Sequence, residues 1–152
     1  MPTHYSGTQT EARTLDTFIK LTRCTNSVLA RLAERNSIGD LTYSQFAVLE
    51  ALYHLGSMTQ GDISIKVLKS GSNMTTVIDN LERDGLVRRE RNDEDRRVVH
   101  IHLTEAGKKK LRTILPGHVE ALVDEFSVLT ASEQETLAGL CKKLGKGKEA
   151  RR

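Results

Sequence analysis

Five arginines, Arg88, Arg89, Arg91, Arg96 and Arg97, crowd around the short stretch Asn92-Asp93-Glu94-Asp95. Guanidinium groups at this density suit a polyanion. On double-stranded DNA they contact phosphates or enter a narrow minor groove, where the negative potential is enhanced. Asp95 stands two residues before Arg97, so its carboxylate can hold that guanidinium in a bidentate pair and fix its direction before binding. Arg97 is therefore the first candidate for a groove contact, with Arg88, Arg89, Arg91 and Arg96 expected on phosphates. The competing possibility is a solvated hairpin in which Asp93, Glu94 and Asp95 simply neutralise the arginines.

A second group precedes the first. Ser72, Asn73, Thr75, Thr76, Asp79 and Asn80 are small hydrogen-bonding residues that approach base edges and phosphates without steric penalty. They lie opposite an apolar stripe, Met74, Val77, Ile78 and Leu81, spaced i, i+3, i+4 and i+7 as one face of a helix. A plain polar surface helix would have the same stripe, and this segment alone does not separate the two readings.

The elements that must position these groups follow from periodicity and punctuation. Residues 1–10 carry no pattern and read as a flexible end. From about Glu11 to Asn36, Leu15, Phe18, Ile19, Thr22, Leu29, Leu32 and Ala33 recur at helical spacing, predicting a first helix of about 39 Å, natural for a dimer stalk. Thr42 with Gln45 forms a capping-box signature for a second helix ending at Gly56. Thr59 caps a short third helix carrying Ile63 and Val67, and Ser70 a fourth, so that the pair makes a helix-turn-helix. Gly85 suits the left-handed end of the fourth helix. Leu86-Val87 and Val98 to Leu103 then form two short strands joined by the charged loop, a β-hairpin. A helix runs from Thr104 past Pro116, with a bend near Pro116-Gly117, to about Leu129. Ser132 caps a last helix holding Leu137, Leu140 and Leu144.

Along Leu81-Glu82-Arg83-Asp84-Gly85-Leu86-Val87-Arg88-Arg89, Asp93-Glu94-Asp95-Arg96-Arg97 and Leu103-Thr104-Glu105-Ala106-Gly107, the chain resembles the MarR family of winged helix-turn-helix transcription regulators. The match is specific over about 42–111. The resemblance implies a mainly α fold with a small β-hairpin. Residues 1–152 then form a single domain, in which about 42–103 is the winged helix-turn-helix lobe and about 11–36 and 104–145 are dimerisation helices. It implies that the fourth helix enters the major groove of double-stranded DNA with Ser70, Ser72, Asn73, Thr75 and Thr76, while the wing presents Arg88, Asp95, Arg96 and Arg97. It also implies a homodimer on a pseudo-palindromic operator with half-sites about 10 bp apart, and a small aromatic or phenolic effector, for which Phe18, Tyr43, Phe46 and Tyr53 are the candidate lining. Recognition helices in this family often carry an arginine near positions 71 or 76, where this chain has Gly71 and Thr76, which shifts weight onto the wing. Lys69-Ser70-Gly71-Ser72 and the run from Leu140 to Gly147 are similar to the branch associated with quinones and catechols.

Bulk properties fit this reading. Between Ile63 and Arg112 there are 12 basic and 8 acidic residues, between Thr113 and Cys141 no basic and 5 acidic, and from Lys142 onward 6 basic and 1 acidic. Such asymmetry presents one face to a polyanion. Aromatics at 4% and the lack of Trp argue against base stacking on a single-strand platform. No run reaches the roughly 20 apolar residues of a membrane span, and a cytoplasmic protein is expected.

Cys24 and Cys141 match neither a redox pair nor a zinc cluster, and Cys24 is expected to be buried and structural. His100 and His102 share one strand face without a further ligand at metal spacing, so neither a metal nor a cofactor is expected. No phosphate loop, nucleophile elbow or carboxylate pair points to catalysis, and no enzyme is expected. The alternative function is a non-specific winged-helix DNA-binding or protein-docking module without an effector.

Overall fold

A computed structural model describes residues 4–67 and 71–147. Lys69 and Ser70, and with them the expected cap of the fourth helix, lie outside the described residues. The elements run α1 (Gln9–Glu34), α2 (Tyr43–Leu55), β1 (Met58–Thr59), α3 (Gln60–Val67), α4 (Gly71–Arg83), β2 (Val87–Arg91), β3 (Val99–Leu103), α5 (Glu105–Phe126) and α6 (Ala131–Lys146). The fold is mainly helical with one small antiparallel sheet in the order β1-β3-β2.

Helix boundaries follow the caps. α1 starts inside the stretch expected to be unstructured, because Thr8 and Glu11 form a reciprocal capping box that satisfies two otherwise unpaired N–H groups. The hydroxyls of Thr14, Thr17, Thr22 and Thr25 each donate to the carbonyl four residues back, so these poor helix formers satisfy themselves within the helix. α2 has the expected Thr42–Gln45 box and stops at Gly56, whose φ of 83° favours glycine. α6 is capped by Thr130 with Glu133 rather than by Ser132. Both Thr130 and Ser132 have Glu three residues on, and the chain uses the earlier box. α5 stays helical through Pro116 and ends at Phe126, before the expected Leu129.

Contacts divide the chain into two compact units, Asn36–His118 and Met1–Arg35 with Val119–Arg152. In the first, Val48, Leu49, Ile63, Met74, Ile78, Leu81, Val87, Ile101 and Leu111 form a fully buried core to which α2, α3, α4, both longer strands and the first part of α5 contribute. Residues 105–118 thus fall in the same compact unit as the lobe. Nine such side chains removed from water, at about 1.5 to 3 kcal/mol each, are the main term holding this unit together. His118 is buried there too: its Nδ1 lies 3.0 Å from the Ser37 hydroxyl and its ring packs edge-on against Phe46. Burial pushes its pKa below the ordinary value, against a weaker pull from Glu50.

The second unit is different in kind. Its described residues bury only Leu32 and Ala121. Its internal ties are polar: Arg31 Nε meets Glu125 at 2.6 Å, and Arg35 reaches Asp124 at 2.5 Å and Glu125 at 3.2 Å. Phe18 on α1, Val123 on α5 and Leu137, Leu140 and Leu144 on α6 are exposed. Among the described residues no helix is long and apolar enough to cross a membrane.

Candidate nucleic-acid interface

The helix-turn-helix comprises α3 and α4. Met74, Ile78 and Leu81 are fully buried, which turns Asn73, Thr75 and Thr76 outward. Gln60, at the start of α3, donates from Nε2 to the Thr75 hydroxyl at 2.6 Å and so ties the two helices together at the exposed face. Thr59 caps α3 as expected: its hydroxyl accepts the Asp62 N–H at 3.2 Å and donates to the Asp62 carboxylate at 2.9 Å. Thr59 also lies in β1, a two-residue strand too short to leave a sequence pattern, which pairs Met58 with Ile101 and Thr59 with His100.

The turn from α4 into the wing explains the Gly-Leu and Leu-Thr-x-x-Gly motifs together. Gly85 has a φ of 73°, a backbone setting that costs a side-chain-bearing residue energy. The Thr104 hydroxyl donates to the Gly85 carbonyl at 2.6 Å and accepts the Gly107 N–H at 3.0 Å, capping α5. A side chain at Gly107 would fall on the Leu86 carbonyl oxygen and within 2.7 Å of Leu103 Cδ1. The strands leave and re-enter the lobe through this single close-packed junction.

Strand register then sorts the wing residues onto two faces. Val87 pairs with Leu103, Arg89 with Ile101 and Arg91 with Val99, on the core side; Arg88 pairs with His102 and Glu90 with His100, on the other. Arg89, expected on a phosphate, turns instead toward acidic side chains of α4. Its guanidinium bonds Glu82 at 2.8 Å and Asp79 at 2.6 Å, and its backbone N–H donates to Glu82 at 3.0 Å. Partial burial opposes its charge, but the bonds to Asp79 and Glu82 outweigh this and raise its pKa above the usual arginine value. Arg89 thus clamps the wing to α4. Asp79, expected on the DNA-facing surface, is used up in the clamp. The alternation of faces along Val87-Arg88-Arg89, together with acids at 79 and 82 one helical turn apart, was the available signal for it.

Arg88 is likewise not at the tip. It pairs with Glu90, which also stands 3.6 Å from His102 Nε2, and the bond from Arg88 holds the Glu90 carboxyl below its ordinary pKa. His100 and His102 share this face, with ring centroids 6.5 Å apart. Among the described residues no three His, Cys, Asp or Glu side chains converge as metal ligands.

At the tip, Asn92 and Asp95 each accept a backbone N–H two residues on, from Glu94 at 2.8 Å and Arg97 at 3.0 Å. Asx turns of this kind let the hairpin reverse, with the Asn92 N–H donating to the Val98 carbonyl at 2.9 Å. The bidentate Asp95–Arg97 pair is not formed: Arg97 Nε stays 3.8 Å from Asp95, and the side chain is 96% exposed. Asp95 shapes the backbone under Arg97 and leaves the guanidinium projecting into solvent beside exposed Arg96.

Four aromatic residues are expected around an effector. Phe46 is core, Tyr43 is exposed at the first position of α2, and Tyr53 stands ten residues further along that helix, about 15 Å away. Phe18 is exposed on α1. Cys24, expected to be buried, is exposed, as is Cys141.

Residues 41–99 match the model of the MarR family. The uncharacterised HTH-type transcriptional regulator YkoM of Bacillus subtilis is 41% identical over 102 residues, covering 67% of this chain and 66% of that protein. The HTH-type transcriptional regulator MhqR of the same organism is 33% identical over 133 residues, covering 88% of this chain and 92% of that one. The matched stretch therefore spans just under two thirds of the first relative and nearly all of the second. Among solved structures, a probable transcriptional regulator from Pseudomonas aeruginosa superposes with a TM-score of 0.72 at 27% identity, over 82% of this chain and 96% of that one. All three are named as transcription regulators.

Proposed function

Because this chain belongs to the MarR family, whose members are DNA-binding transcription regulators and not enzymes, we propose that it acts as a homodimeric, ligand-responsive repressor on a pseudo-palindromic operator. The observation that carries the reading is the Arg89 clamp. It joins the helix presenting Asn73, Thr75 and Thr76 to the hairpin presenting Arg96 and Arg97, so that the two arrive at DNA as one body. In this reading α4 enters the major groove, Ser70 and Ser72 are further candidates for DNA contact, and Arg97 reaches the adjacent minor groove.

Dimerisation is supported by the exposed apolar residues of α1 and α6, since a helix that leaves Leu137, Leu140 and Leu144 in water lacks its partner. Two-fold symmetry then sets half-sites about 10 bp apart. The effector is a small aromatic or phenolic molecule, of the quinone or catechol type if the resemblance to that branch extends to its ligand. It acts by fixing a recognition-helix spacing that the operator does not match, and a coupling of about 1 to 3 kcal/mol is enough to change affinity about 5- to 150-fold.

Replacing Arg97 with Ala is the direct test. Operator binding should weaken by about 1 to 3 kcal/mol with the dimer still folded. Unchanged affinity would remove the wing tip from recognition. A footprint without a protected palindrome would favour the non-specific module instead.

A further inference from the structure

The outward face of the wing's base borders a groove of about 580 Å³, well within the size range of small-molecule sites. Three parts of the lobe wall it: the end of α2 and the turn after it, with Tyr53 and Ser57, the strands with Arg88 and His102, and α5 with Lys108 and Arg112. We propose that this groove binds a small, multiply charged organic anion of the phosphate or polycarboxylate class.

The charge arrangement carries the inference. Three cationic side chains line the groove against one carboxylate, Glu105, which Lys108 meets at 2.7 Å. Arg88 is held by Glu90 from along the strand. The guanidinium of Arg112 hydrogen-bonds the Tyr53 side chain and feels a weaker attraction from Glu105, and together these favour its charged form. A planar guanidinium aimed this way, flanked by a second guanidinium, an ammonium and the Ser57 hydroxyl, recognises an anion with several oxygens better than one with a single charge. The groove is concave and sits on the sheet face opposite the Arg89 clamp, so it suits a compact molecule better than the backbone of a duplex. An anion seated there bridges β2 and α5, and restrains the base from which the hairpin projects.

The test measures binding to the full chain without DNA, so its failure is separate from failure of the regulator reading. Titration calorimetry with inorganic pyrophosphate and with citrate, at ionic strength matched with sodium chloride, should give saturable binding of one molecule per chain. Whichever probe binds more tightly assigns the phosphate or the carboxylate class. Arg112→Gln should weaken binding at least tenfold, while Arg112→Lys, which keeps the charge and loses the fork, should weaken it less. Ser57→Asp, which sets a carboxylate in the groove and leaves Arg112 in place, should also abolish binding, and covers the case in which Arg112→Gln fails to fold. No saturable binding of either probe would overturn the proposal, as would binding untouched by Ser57→Asp. A tenfold loss of DNA affinity in folded Arg112→Gln without any anion would also overturn it, by making the groove a backbone contact.

Discussion

α4 and α6 each carry apolar residues along one helical face and dispose of them in opposite ways. In α4, Met74, Ile78 and Leu81 are fully buried in the core of the lobe; in α6, Leu137, Leu140 and Leu144 are all exposed and no residue of the helix is buried. Periodicity states only that a helix has an apolar face. Whether the chain itself supplies the cover is a tertiary fact. Where it does, the polar face is left for a ligand such as DNA; where it does not, the apolar face is left for a second protein surface.

The contrast is most strongly challenged at α6. Leu140→Asp with Leu144→Asp should leave the lobe folded, convert the dimer to monomer in sedimentation, and lower operator affinity on the order of 10²- to 10⁴-fold through loss of bivalent attachment. A double variant that stays dimeric would make the exposed face of α6 irrelevant to assembly. At α4 the expected loss is of stability: Ile78→Ala should cost about 2 to 5 kcal/mol in denaturant unfolding, because the cavity it leaves is closed on all sides. A cost near zero would mean that the lobe's core is not the continuous cluster described. Arg89→Ala sharpens the comparison on the polar side. It touches no nucleic acid in this account, yet freeing the wing from α4 should weaken DNA binding roughly tenfold, a coupling within the 0.5 to 3 kcal/mol typical of contacting residues. Equal affinity of Arg89→Ala and the parent would reduce the clamp to a surface ion pair.

The smallest effect concerns His118, the buried polar residue of the lobe. Its pKa lies below the ordinary 6.5, so the unfolded chain takes up a proton first as the pH falls. The stability this residue contributes is complete above pH 6.5 and is lost as the pH drops through its lowered value. The unfolding free energy should decline over that window, with a slope below the roughly 1.4 kcal/mol per pH unit of one full proton. His118→Gln should flatten it, and an unchanged pH profile in that variant would assign the decline to other groups.

Much of this was legible in the residues themselves. The Thr42–Gln45 box, the α4 stripe, Gly85 and the turn-rich hairpin tip each encode local geometry within a few residues, and the structure follows them. The Thr8–Glu11 box was equally local and was missed because the stretch around it lacks apolar residues. What sequence reasoning misassigned depends on which neighbours meet. Arg88 and Arg89 are identical in type and adjacent, yet a strand sends them to opposite faces, one to Glu90 and the groove, the other to Asp79 and Glu82. Asp95 was assigned to the Arg97 guanidinium and serves its backbone N–H instead, because a two-residue spacing closes a turn before it forms a side-chain fork. The separation of Tyr43 and Tyr53 was legible too, since ten residues of one helix hold them about 15 Å apart.

The most direct test of the central claim, that a wing and helix locked together read DNA from a two-fold assembly, is selection of bound duplexes from a random library with the full-length protein. The expected result is a pseudo-palindrome with half-sites centred about 10 bp apart, or a multiple of that spacing, bound by two chains. Enrichment of no shared sequence, or of a single half-site bound by one chain, would contradict it.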